Sequence, residues 1–516
     1  MAIRSLSRMA AYAGLAHDAY KLRRTDEEQV GNAARKHLIE RMGKMRGLPQ
    51  KLGQMLSFSH AGEEDPNEES DYASLQESAE PLPLSVVRPV MENAWGRPIE
   101  RVLREIEPHA RAASLGQVHR AVTLDGRDVA VKVQYPGIYD AVLADLKLLG
   151  WLSVPVGGLR RRFDLSAYRQ VILEDLQEEL DYRIEATSQR QFVEWADENP
   201  FLVVPRVVDD LSSERVLVSE WVEGDHWQTV CGEWGEADKK SMAKGLLKMF
   251  LESLFVRRAV HADLHPGNLR FRCNGNRVQL VLYDFGCVYR PSDAERLTLL
   301  RLIRATARRT EAPLPLLLNL GFSREYLEPL ADKLPALCKV LFEPFCVDYP
   351  YDPNDWRLAE RVSDVLGDDR WNFRAAGPPA LVFLLRAFHG VIYYLQSLSA
   401  PVMWGRMLGP VLEAYADEMD RLDLPSVEVE HRDFSSLAQY LKIRVQNEGR
   451  TKVLLTSRAD GIDDLENLID DDLRGKIVRE GIDLPAIVRD VRQRGYVPGP
   501  VFQLVDGQKQ VDVWLE

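Results

Sequence analysis

Asp263 and Asn268 lie five residues apart in the segment His-Ala-Asp-Leu-His-Pro-Gly-Asn, a loop that contains a Pro-Gly pair. Transfer of a phosphoryl group from ATP needs a carboxylate near the acceptor hydroxyl and an amide oxygen on magnesium, and this spacing supplies both. His261 completes the spacing of a kinase-type catalytic loop, against the alternative of a chance polar loop. The segment therefore predicts phosphoryl-transfer chemistry, with Asp263 as the catalytic carboxylate and Asn268 on the metal.

The triplet Asp284-Phe285-Gly286 follows the strand-like run Val-Gln-Leu-Val-Leu-Tyr, sixteen residues after Asn268. Magnesium takes hard oxygen ligands, and an aspartate at a strand end beside a flexible glycine can reach the ion. The triplet alone is a weak signal, but its position behind a hairpin that follows the first loop makes it a strong one. It predicts Asp284 as a second metal ligand.

Lys132 ends the run Val-Ala-Val-Lys inside an otherwise apolar strand. Burying a lysine is costly unless an anion meets it, and a nucleotide phosphate is one such partner. The alternative is an edge strand with Lys132 in solvent, and for this run taken alone that alternative is the better one. The order of the motifs along the chain is what favours the phosphate.

A long helix is predicted from Asp164 to Glu194. Its buried stripe would consist of residues that recur every four positions: Ile172, Leu176, Leu180 and Ile184. Three acids fall on another face of this helix: Glu178, Asp181 and Glu185. Like charges stacked in this way repel each other by roughly 0.2–0.5 kcal/mol per pair. Periodicity alone favours a solvated acidic face, whereas the functional alternative is that these acids face Lys132, Lys51 or a metal.

Other segments supply the elements around these residues. Two hairpins are predicted, one turning at Asp125-Gly126 and one at Asn274-Gly275-Asn276. The runs Val-Val-Pro-Arg-Val-Val and Arg-Val-Leu-Val-Ser-Glu-Trp-Val indicate two more strands. Ser241 to Val256 is helical in pattern, and after the second hairpin the chain is mostly helical to about Leu422. The sequence thus predicts a small β-rich lobe followed by a large helical lobe. Two further strands, Thr-Lys-Val-Leu-Leu-Thr-Ser and Lys-Gln-Val-Asp-Val-Trp-Leu-Glu, are expected near the end.

Composition narrows the class of protein. The chain has 516 residues, which predicts two or three domains. Its 66 basic and 79 acidic residues give a net charge of −13, which argues against a general nucleic-acid binder. Five cysteines without a CxxC pair indicate no zinc site or disulfide framework and fit a reducing cytoplasm.

The N-terminus lacks the sustained apolar run of a signal peptide. The most apolar stretch, Ala380 to Leu395, is shorter than the ~20 residues that span a bilayer. Arg386 and His389 interrupt it. We therefore expect a buried helix there, no transmembrane span and a cytoplasmic location, with peripheral membrane contact left open.

One part of an ordinary kinase is missing. No G-x-G-x-x-G loop precedes Lys132, and an alanine-rich loop from Ala110 to His119 stands in its place. Alanine does not take the positive φ that glycine takes freely, so the backbone amides should approach phosphates differently. No A-P-E motif follows Asp284-Phe285-Gly286 either.

Taken together, these motifs resemble the UbiB/AarF-type atypical kinases, which include the coenzyme-Q biosynthesis kinases. The resemblance covers roughly Gly47 to Leu408. It rests on six segments: Lys51-Leu52-Gly53-Gln54, AASLGQVH, VAVKVQYPG, ELDYRIEA, HADLHPGN and DFG. The combination of K-x-G-Q with HxDxHPGN is highly specific to this family.

The resemblance implies roles for individual residues. Lys132 would bind the ATP phosphates with Glu185 as its ion-pair partner, and Asp263 would be the catalytic-loop aspartate. Asn268 and Asp284 would bind Mg²⁺. Ser219 to Gly224, here called the hinge segment, would lie near adenine. The residues implied to contact or cover the nucleotide are Ala112, Ala113, Ser114, Gln117, Glu220, Val222, Glu179, Asp181, Lys51 and Gln54.

The implied fold is α+β, a two-lobed protein-kinase-like fold with an N-terminal helical extension and a small C-terminal α/β unit. The predicted division is an extension over residues 1–80, a small lobe over 81–225, a large helical lobe over 226–423 and an appended soluble α/β domain over 424–516.

The implied function is that of an ATP-dependent atypical kinase or ATPase that uses Mg²⁺ and acts on a small, lipid-like, quinone-related molecule. Lys51 and Gln54 would fill the space that a protein substrate needs. The alternative is a pseudokinase that binds nucleotide as a regulatory protein. Arg111, which replaces the first alanine of the family's A-A-A-S motif, leaves the choice between ATP and ADP open.

Overall fold

A computed structural model describes residues 81–113, 115–140, 142, 178–275, 277–426, 438–447, 450–465, 477, 483–493, 496–506 and 509–516. The chain divides into two compact units. The first comprises the described parts of Met1–Ser253, Ala259–Arg290 and Pro379–Ala400, and the second those of Leu254–Arg258, Pro291–Pro378 and Pro401–Glu516. The four-part division expected from the sequence stays a prediction.

The first unit opens with helix α1 (Leu84–Trp95) and a five-stranded antiparallel sheet. The strands are β1 (Leu103–Ile106), β2 (Arg111–Ala112), β3 (Gly116–Thr123), β4 (Asp128–Gln134) and β6 (Val216–Glu220). Their order is β1-β3-β4-β6, with β2 paired to β3. The hairpin predicted at Asp125-Gly126 joins β3 to β4, and Gly126 has the positive φ of +88° that favours glycine there.

The rest of the first unit is built on short strands and four helices. A three-stranded sheet has the order β5 (Leu202–Val203), β9 (Arg277–Leu282), β8 (Leu269–Asn274). A two-stranded ladder pairs β7 (Val260–His261) with β10 (Val288–Tyr289). The helices are α2 (Tyr182–Glu198), α3 (Trp227–Glu233), α4 (Glu236–Glu252) and α12 (Leu381–Leu398), numbered along the whole chain. The second predicted hairpin is confirmed by the pairing of β8 with β9.

The prediction of one continuous helix from Asp164 to Glu194 is wrong. Helix α2 begins at Tyr182, because Asp181 is extended and its side chain accepts a hydrogen bond from the backbone N–H of Arg183 as an N-cap. Ile184, assigned to the buried stripe, is 40% exposed. The three acids therefore do not stack on one helix face: Glu178 precedes the cap, Asp181 pairs with Arg183, and only Glu185 lies inside the helix.

The strand predicted at Val-Val-Pro-Arg-Val-Val is shorter than expected. Ladder pairing is limited to Leu202–Val203, followed by an isolated bridge between Val207 and Ser219. Pro205 lies between them and has no N–H to donate to a ladder, which is the physical reason for the break.

Helix α12 contains the apolar stretch of the sequence. Among the described residues it is the one helix long and apolar enough to cross a bilayer by length and composition, and 33% of its 18 residues are buried inside the protein. Arg386 is among the buried residues. The predicted helix is therefore present, with one buried face.

The second unit is helical over residues 291–378 and 401–423. Its helices are α5 (Asp293–Arg308), α6 (Pro313–Asn319), α7 (Arg324–Leu327), α8 (Leu334–Leu341), α9 (Glu343–Cys346), α10 (Leu358–Leu366), α11 (Arg370–Ala376), α13 (Trp404–Ala414) and α14 (Ala416–Asp420). Ser292 begins α5 with a capping box, since its side chain accepts from the N–H of Glu295 and the Glu295 carboxylate accepts from the N–H of Ser292. The helices pack around a leucine-rich core.

The end of the second unit is a four-stranded antiparallel sheet with one helix. The order is β12 (Arg450–Arg458), β11 (Tyr440–Asn447), β14 (Lys509–Leu515), β13 (Gly499–Asp506), and helix α15 spans Leu484–Gln493. A separate hydrophobic cluster fills this region. Both strands predicted near the end of the chain are present as β12 and β14.

The mixed α+β class predicted from the sequence is confirmed. Predictions for the first 80 residues, including Lys51 and Gln54, and for Ser114 fall outside the described residues.

Candidate active site

A cavity of about 650 Å³ lies within the first unit, below the five-stranded sheet and above the segments that carry the catalytic-loop motifs. It brings together ten of the residues singled out from the sequence: Ala112, Ala113, Lys132, Glu179, Glu185, Glu220, Val222, Asp263, Asn268 and Asp284. These residues are far apart in the chain, so their convergence is a property of the fold.

Lys132 is held between two carboxylates. Its Nζ donates to Glu185 Oε1 at 2.6 Å and lies 3.0 Å from Asp284 Oδ2. Strand β4 positions the lysine, helix α2 the glutamate and the end of the β8–β9 hairpin the aspartate. The ring of Tyr182 lies beneath the ammonium, 5.2 Å from Nζ to the ring centroid. The predicted pair of Lys132 and Glu185 is present, and Asp284 joins it.

One ammonium cannot fully compensate the buried carboxylate of Glu185 and the half-buried carboxylate of Asp284. Burial raises the pKa of Glu185 to about 7, although Lys132 opposes the shift. Burial also favours a higher pKa for Asp284, but the charge and the hydrogen bond of Lys132 outweigh it, so the pKa of Asp284 is lowered. The pKa of Lys132 is raised well above its usual value, because the two carboxylates outweigh burial. The site thus carries an excess of negative charge beside a fixed cation.

The backbone around Asp284 is arranged to present its carboxylate. Asp284 has a positive φ of +52°, which a non-glycine residue rarely adopts and which costs of order 1–3 kcal/mol. Its Oδ1 accepts from the N–H of Gly286 at 3.2 Å. Phe285 is buried against Phe192 and His261, with ring centroids 5.1 Å and 5.5 Å away. This packing stabilises the strained conformation.

Asp263 is held by two partners. Its Oδ2 accepts from Nδ2 of Asn268 at 2.9 Å, and its Oδ1 accepts from Nη2 of Arg386 at 2.5 Å. His261 lies behind the loop: its Nδ1 accepts from the N–H of Asp263, and its Nε2 contacts the carbonyl of Tyr283 at 3.1 Å. Burial lowers the pKa of His261, so the ring is neutral near pH 7. These contacts fix the orientation of the Asp263 carboxylate.

Gly116 ends the alanine-rich loop where it packs on the sheet. A methyl group at this position would lie 2.3 Å from the carbonyl oxygen of Val133 and 2.7 Å from the hydroxyl of Tyr182. Glycine is therefore required there by close approach rather than by φ. The loop reaches the cavity through Ala112 and Ala113.

The hinge segment borders the cavity at the end of β6. The carbonyl of Val222 accepts from the hydroxyl of Tyr283 at 2.5 Å, and the carbonyl of Glu223 accepts from Nε of Arg272 at 2.5 Å. Trp221 packs beneath the guanidinium groups of Arg111 and Arg120. The segment is fixed from below by β8 and by the residue before Asp284.

Two predicted nucleotide contacts do not reach the cavity. Gln117 is buried on the opposite face of β3, where its amide exchanges hydrogen bonds with the backbone of Leu82 and contacts Nε2 of His119. Asp181 caps helix α2 and pairs with Arg183. The placement of both residues supports a structural part for them instead.

Several residues of the cavity were missed as site residues by sequence reasoning: Arg386, Arg270, His226 and Tyr283. Arg386 did leave a signal, because an arginine inside an apolar run must find an acceptor when its helix packs. The same signal was present for Arg270, which stands directly after Asn268-Leu269 in an apolar strand. Nothing in the local pattern identified the acceptor.

The donor set fits a nucleotide with Mg²⁺. The Nδ2 of Asn268 donates to Asp263, which leaves its amide oxygen for a hard cation, and Asp284 supplies an anionic oxygen. Mg²⁺ usually binds through one or two protein ligands together with phosphates and water. Among the described residues, no group of three or more His, Cys, Asp or Glu could hold a metal ion.

Comparison with known proteins gives a consistent result. The sequence profile of the ABC1 atypical kinase-like domain matches residues 74–314. The chain is 33% identical over 254 residues to the mitochondrial atypical kinase coq-8 of Caenorhabditis elegans, covering 48% of this chain and 33% of that protein. It is 31% identical over 252 residues to the mitochondrial atypical kinase COQ8B of Rattus norvegicus, covering 48% and 47%. The chain thus spans about a third to a half of these relatives.

Two further similarities extend the comparison. The AarF domain-containing protein kinase 1 of Xenopus laevis is 33% identical over 218 residues, covering 41% of this chain and 42% of that protein. Among solved structures, the Rv3197–erythromycin complex from Mycobacterium tuberculosis superposes with a TM-score of 0.51 at 26% identity, covering 74% of this chain and 97% of that one.

Proposed function

Since the chain belongs to the UbiB/AarF-type family of atypical kinases through its ABC1 atypical kinase-like domain, we propose that it is a Mg²⁺-dependent ATP-binding enzyme that hydrolyses ATP or transfers its γ-phosphoryl group to a small, lipid-like molecule. The observation that supports this most is Lys132 between Glu185 and Asp284. One ammonium beside two carboxylates leaves an excess of negative charge that a divalent cation would neutralise, and Mg²⁺ is bound in such sites together with nucleotide phosphates.

Each residue has a distinct part in this proposal. Lys132 binds phosphate oxygens and Glu185 orients it. Asn268 and Asp284 hold Mg²⁺, which supplies charge neutralisation at the phosphates when it is bound. Asp263 accepts the proton of the attacking water or hydroxyl group. Arg386 and Asn268 fix the orientation of that carboxylate.

The acceptor is proposed to be water or a small molecule related to quinones, and not a protein. This part rests on family resemblance, since Lys51 and Gln54 lie outside the described residues. We further propose a cytoplasmic location with peripheral membrane contact. The names of two relatives place those proteins in mitochondria.

The decisive experiment is ATP hydrolysis by the purified full chain with and without Mg²⁺. We expect Mg²⁺-dependent turnover that falls by ~10²–10⁴-fold in Asp263→Asn, because a positioned base contributes about that factor. The exposed Asp210→Asn in the same unit is the matched control and should leave turnover unchanged.

The outcomes separate the alternatives. Mg-ATP binding without turnover in the parent would establish the pseudokinase function instead. Strong labelling of unrelated proteins from labelled ATP, lost in Asp263→Asn, would make the chain an ordinary protein kinase. Absence of nucleotide binding would refute both the enzyme and the pseudokinase.

A further inference from the structure

The cavity has a second charged region, which the chemistry proposed above does not use. Arg111 on β2, Arg270 on β8 and His226 after the hinge segment all line it. We call these three residues the basic cluster. It contrasts with the catalytic end of the cavity, which contains Lys132 and the carboxylates Glu185, Asp263 and Asp284.

The basic cluster lies along the cavity from the catalytic end. On β6, Leu217 is the register partner of Lys132. Gly224, seven residues further along the chain, is the neighbour of Arg270: a methyl group on Gly224 would lie 2.9 Å from Cβ of Arg270. A ligand that reaches from Lys132 to the hinge segment therefore places its far end beside this cluster.

Arg270 is 7% exposed and has no carboxylate partner among the described residues. Its Nη1 donates to the carbonyls of Leu269 at 2.6 Å and Pro266 at 3.2 Å. In the described part of the chain, Nε and Nη2 donate to no protein acceptor, although both carry N–H groups. If Arg270 served only to hydrogen-bond these two carbonyls, the three further N–H donors of its guanidinium group would have no use beside the cavity.

The neighbouring charges do not compensate Arg270. Arg111 stacks on Trp221 at 5.7 Å and makes no ion pair within the described residues. Nearby, Glu223 and Asp128 pair with Arg120, and the carboxylate of Asp225 accepts from Nε1 of Trp234. Burial and the charge of Arg111 together lower the pKa of Arg270. Burial, Arg270 and Arg111 lower that of His226, against the upward pull of Asp225.

Gathering unpaired guanidinium groups around one cavity costs free energy that an anion would recover. Arginine is suited to phosphate because its planar fork forms two parallel hydrogen bonds. A comparable distinction is known for dinucleotide sites, where an acid selects a free ribose hydroxyl and an arginine accommodates a sugar phosphate.

We propose that Arg270, with Arg111 and His226, forms a phosphate subsite for a second phosphate monoester, carried on the sugar of a nucleotide whose 5′-phosphate lies at the catalytic end. The proposal rests on nucleotide binding at this cavity. It adds that the preferred nucleotide is phosphorylated at both ends.

The test compares AMP with two isomeric nucleotides, each of which carries one more phosphate group than AMP. ADP adds it at the catalytic end, and adenosine 3′,5′-bisphosphate adds it at the sugar, with adenosine 2′,5′-bisphosphate as a second arm. Binding to the full chain is measured by calorimetry. We expect at least one bisphosphate to bind roughly tenfold more tightly than AMP, the factor that one charge-assisted pair supplies.

Variants then assign the effect. Arg270→Met should remove the gain of the bisphosphate over AMP while the gain of ADP over AMP stays. Arg127→Met is the control, since Arg127 is an exposed arginine paired with Asp125 that does not line the cavity, and it should keep both gains. Arg111→Met, at an exposed position, should reduce the bisphosphate gain and serves as the second variant if Arg270→Met does not fold.

Each result has a clear meaning. If both bisphosphates bind the parent no better than AMP, or if their gain persists in Arg270→Met, the subsite does not exist. If AMP with added inorganic phosphate reproduces the effect, the site takes free phosphate and the proposal of a sugar phosphate is wrong. If no nucleotide binds at all, the proposed function itself fails.

Discussion

The two larger antiparallel sheets of the described residues, the five-stranded sheet of the first unit and the four-stranded C-terminal sheet, use polar residues in opposite ways. The sheet of the first unit buries Gln117 and His119 on one face and holds Lys132 against Glu185 on the other. In the C-terminal sheet, the fully buried side chains among the described residues are all apolar. Its charges form exposed or half-exposed pairs, such as Arg444 with Asp512 and Lys442 with Glu516.

The difference has a physical meaning. Burying a charge costs several kcal/mol unless it is paired and hydrogen-bonded, so a fold keeps such groups where their chemistry is needed. The first sheet bears that cost at the cavity, and a hydrocarbon core is sufficient for the C-terminal sheet. This contrast predicts that substitutions at the cavity of the first unit change ATP turnover more than substitutions in the C-terminal sheet.

The largest expected effect in this comparison comes from Arg386. Arg386→Gln leaves Asp263 without its cationic partner, so we expect turnover of ATP to fall by about 10–10²-fold with a smaller change in KM, because the misplaced group acts in the chemical step. Steady-state kinetics measures both kcat and KM.

The Arg386→Lys variant should recover part of kcat. Gln396→Ala, exposed on the same helix, is the control. Equal loss in KM and kcat, or no rescue, would contradict a positioning role.

A medium effect is expected in the pH dependence of stability. The pKa of Glu185 is about 7 in the folded protein against an ordinary 4.5. The folded state therefore binds the proton of Glu185 more tightly than the unfolded state does. The contribution of this carboxyl to the free energy of unfolding is fully present below pH 4.5 and is lost as the pH rises through 7. The Glu185→Gln variant lacks this titrating group. Between pH 5 and 7.5 its free energy of unfolding should therefore fall less than that of the parent, by on the order of 1–3 kcal/mol.

Thermal unfolding at several pH values measures that slope. The range above pH 5 is chosen because Asp284, whose pKa is lowered, contributes the opposite dependence only at acid pH. A matched change in the C-terminal sheet, Glu516→Gln, should leave the slope above pH 5 unaltered. Parallel curves for the parent and Glu185→Gln would show that Glu185 is ionised throughout.

The smallest effect should follow from a C-terminal ion pair. Arg444 is 41% exposed, lies 2.8 Å from Asp512 and stacks on Trp514. Because solvent screens such a pair, Arg444→Ala should lower the free energy of unfolding by under ~1 kcal/mol and leave ATP turnover unchanged. Chemical denaturation and the hydrolysis assay test both. A turnover loss comparable to that of Arg386→Gln would end the contrast between the two sheets.

Much of the site could be predicted from local sequence. Lys132, Asp263, Asn268 and Asp284 could each be singled out, because each belongs to a short motif in a strand, loop or turn, and the fold then brings all four to one cavity. The hairpin at Gly126 was predictable for the same reason, since a positive φ selects glycine. Local physics decides such features before any long-range contact forms.

Other features depended on packing between distant segments. Because side chains alternate along a strand, Gln117 and Val118 must face opposite sides of β3. Which of the two faces the cavity is decided only by tertiary packing, in which Leu82 binds Gln117 and Val118 is left to line the cavity. Similarly, the cap at Asp181 interrupts a periodic pattern that would suit one continuous helix.

The sequence by itself therefore determined the chemical groups, their order and the elements that carry them. Only the tertiary structure decided which partners they meet. Arg386 reaches Asp263 across 123 positions, and Arg270 comes to line the same cavity as Arg111. The reason is that burial forces a charged group to find a counter-charge, while the choice among the available partners is made by how the elements pack.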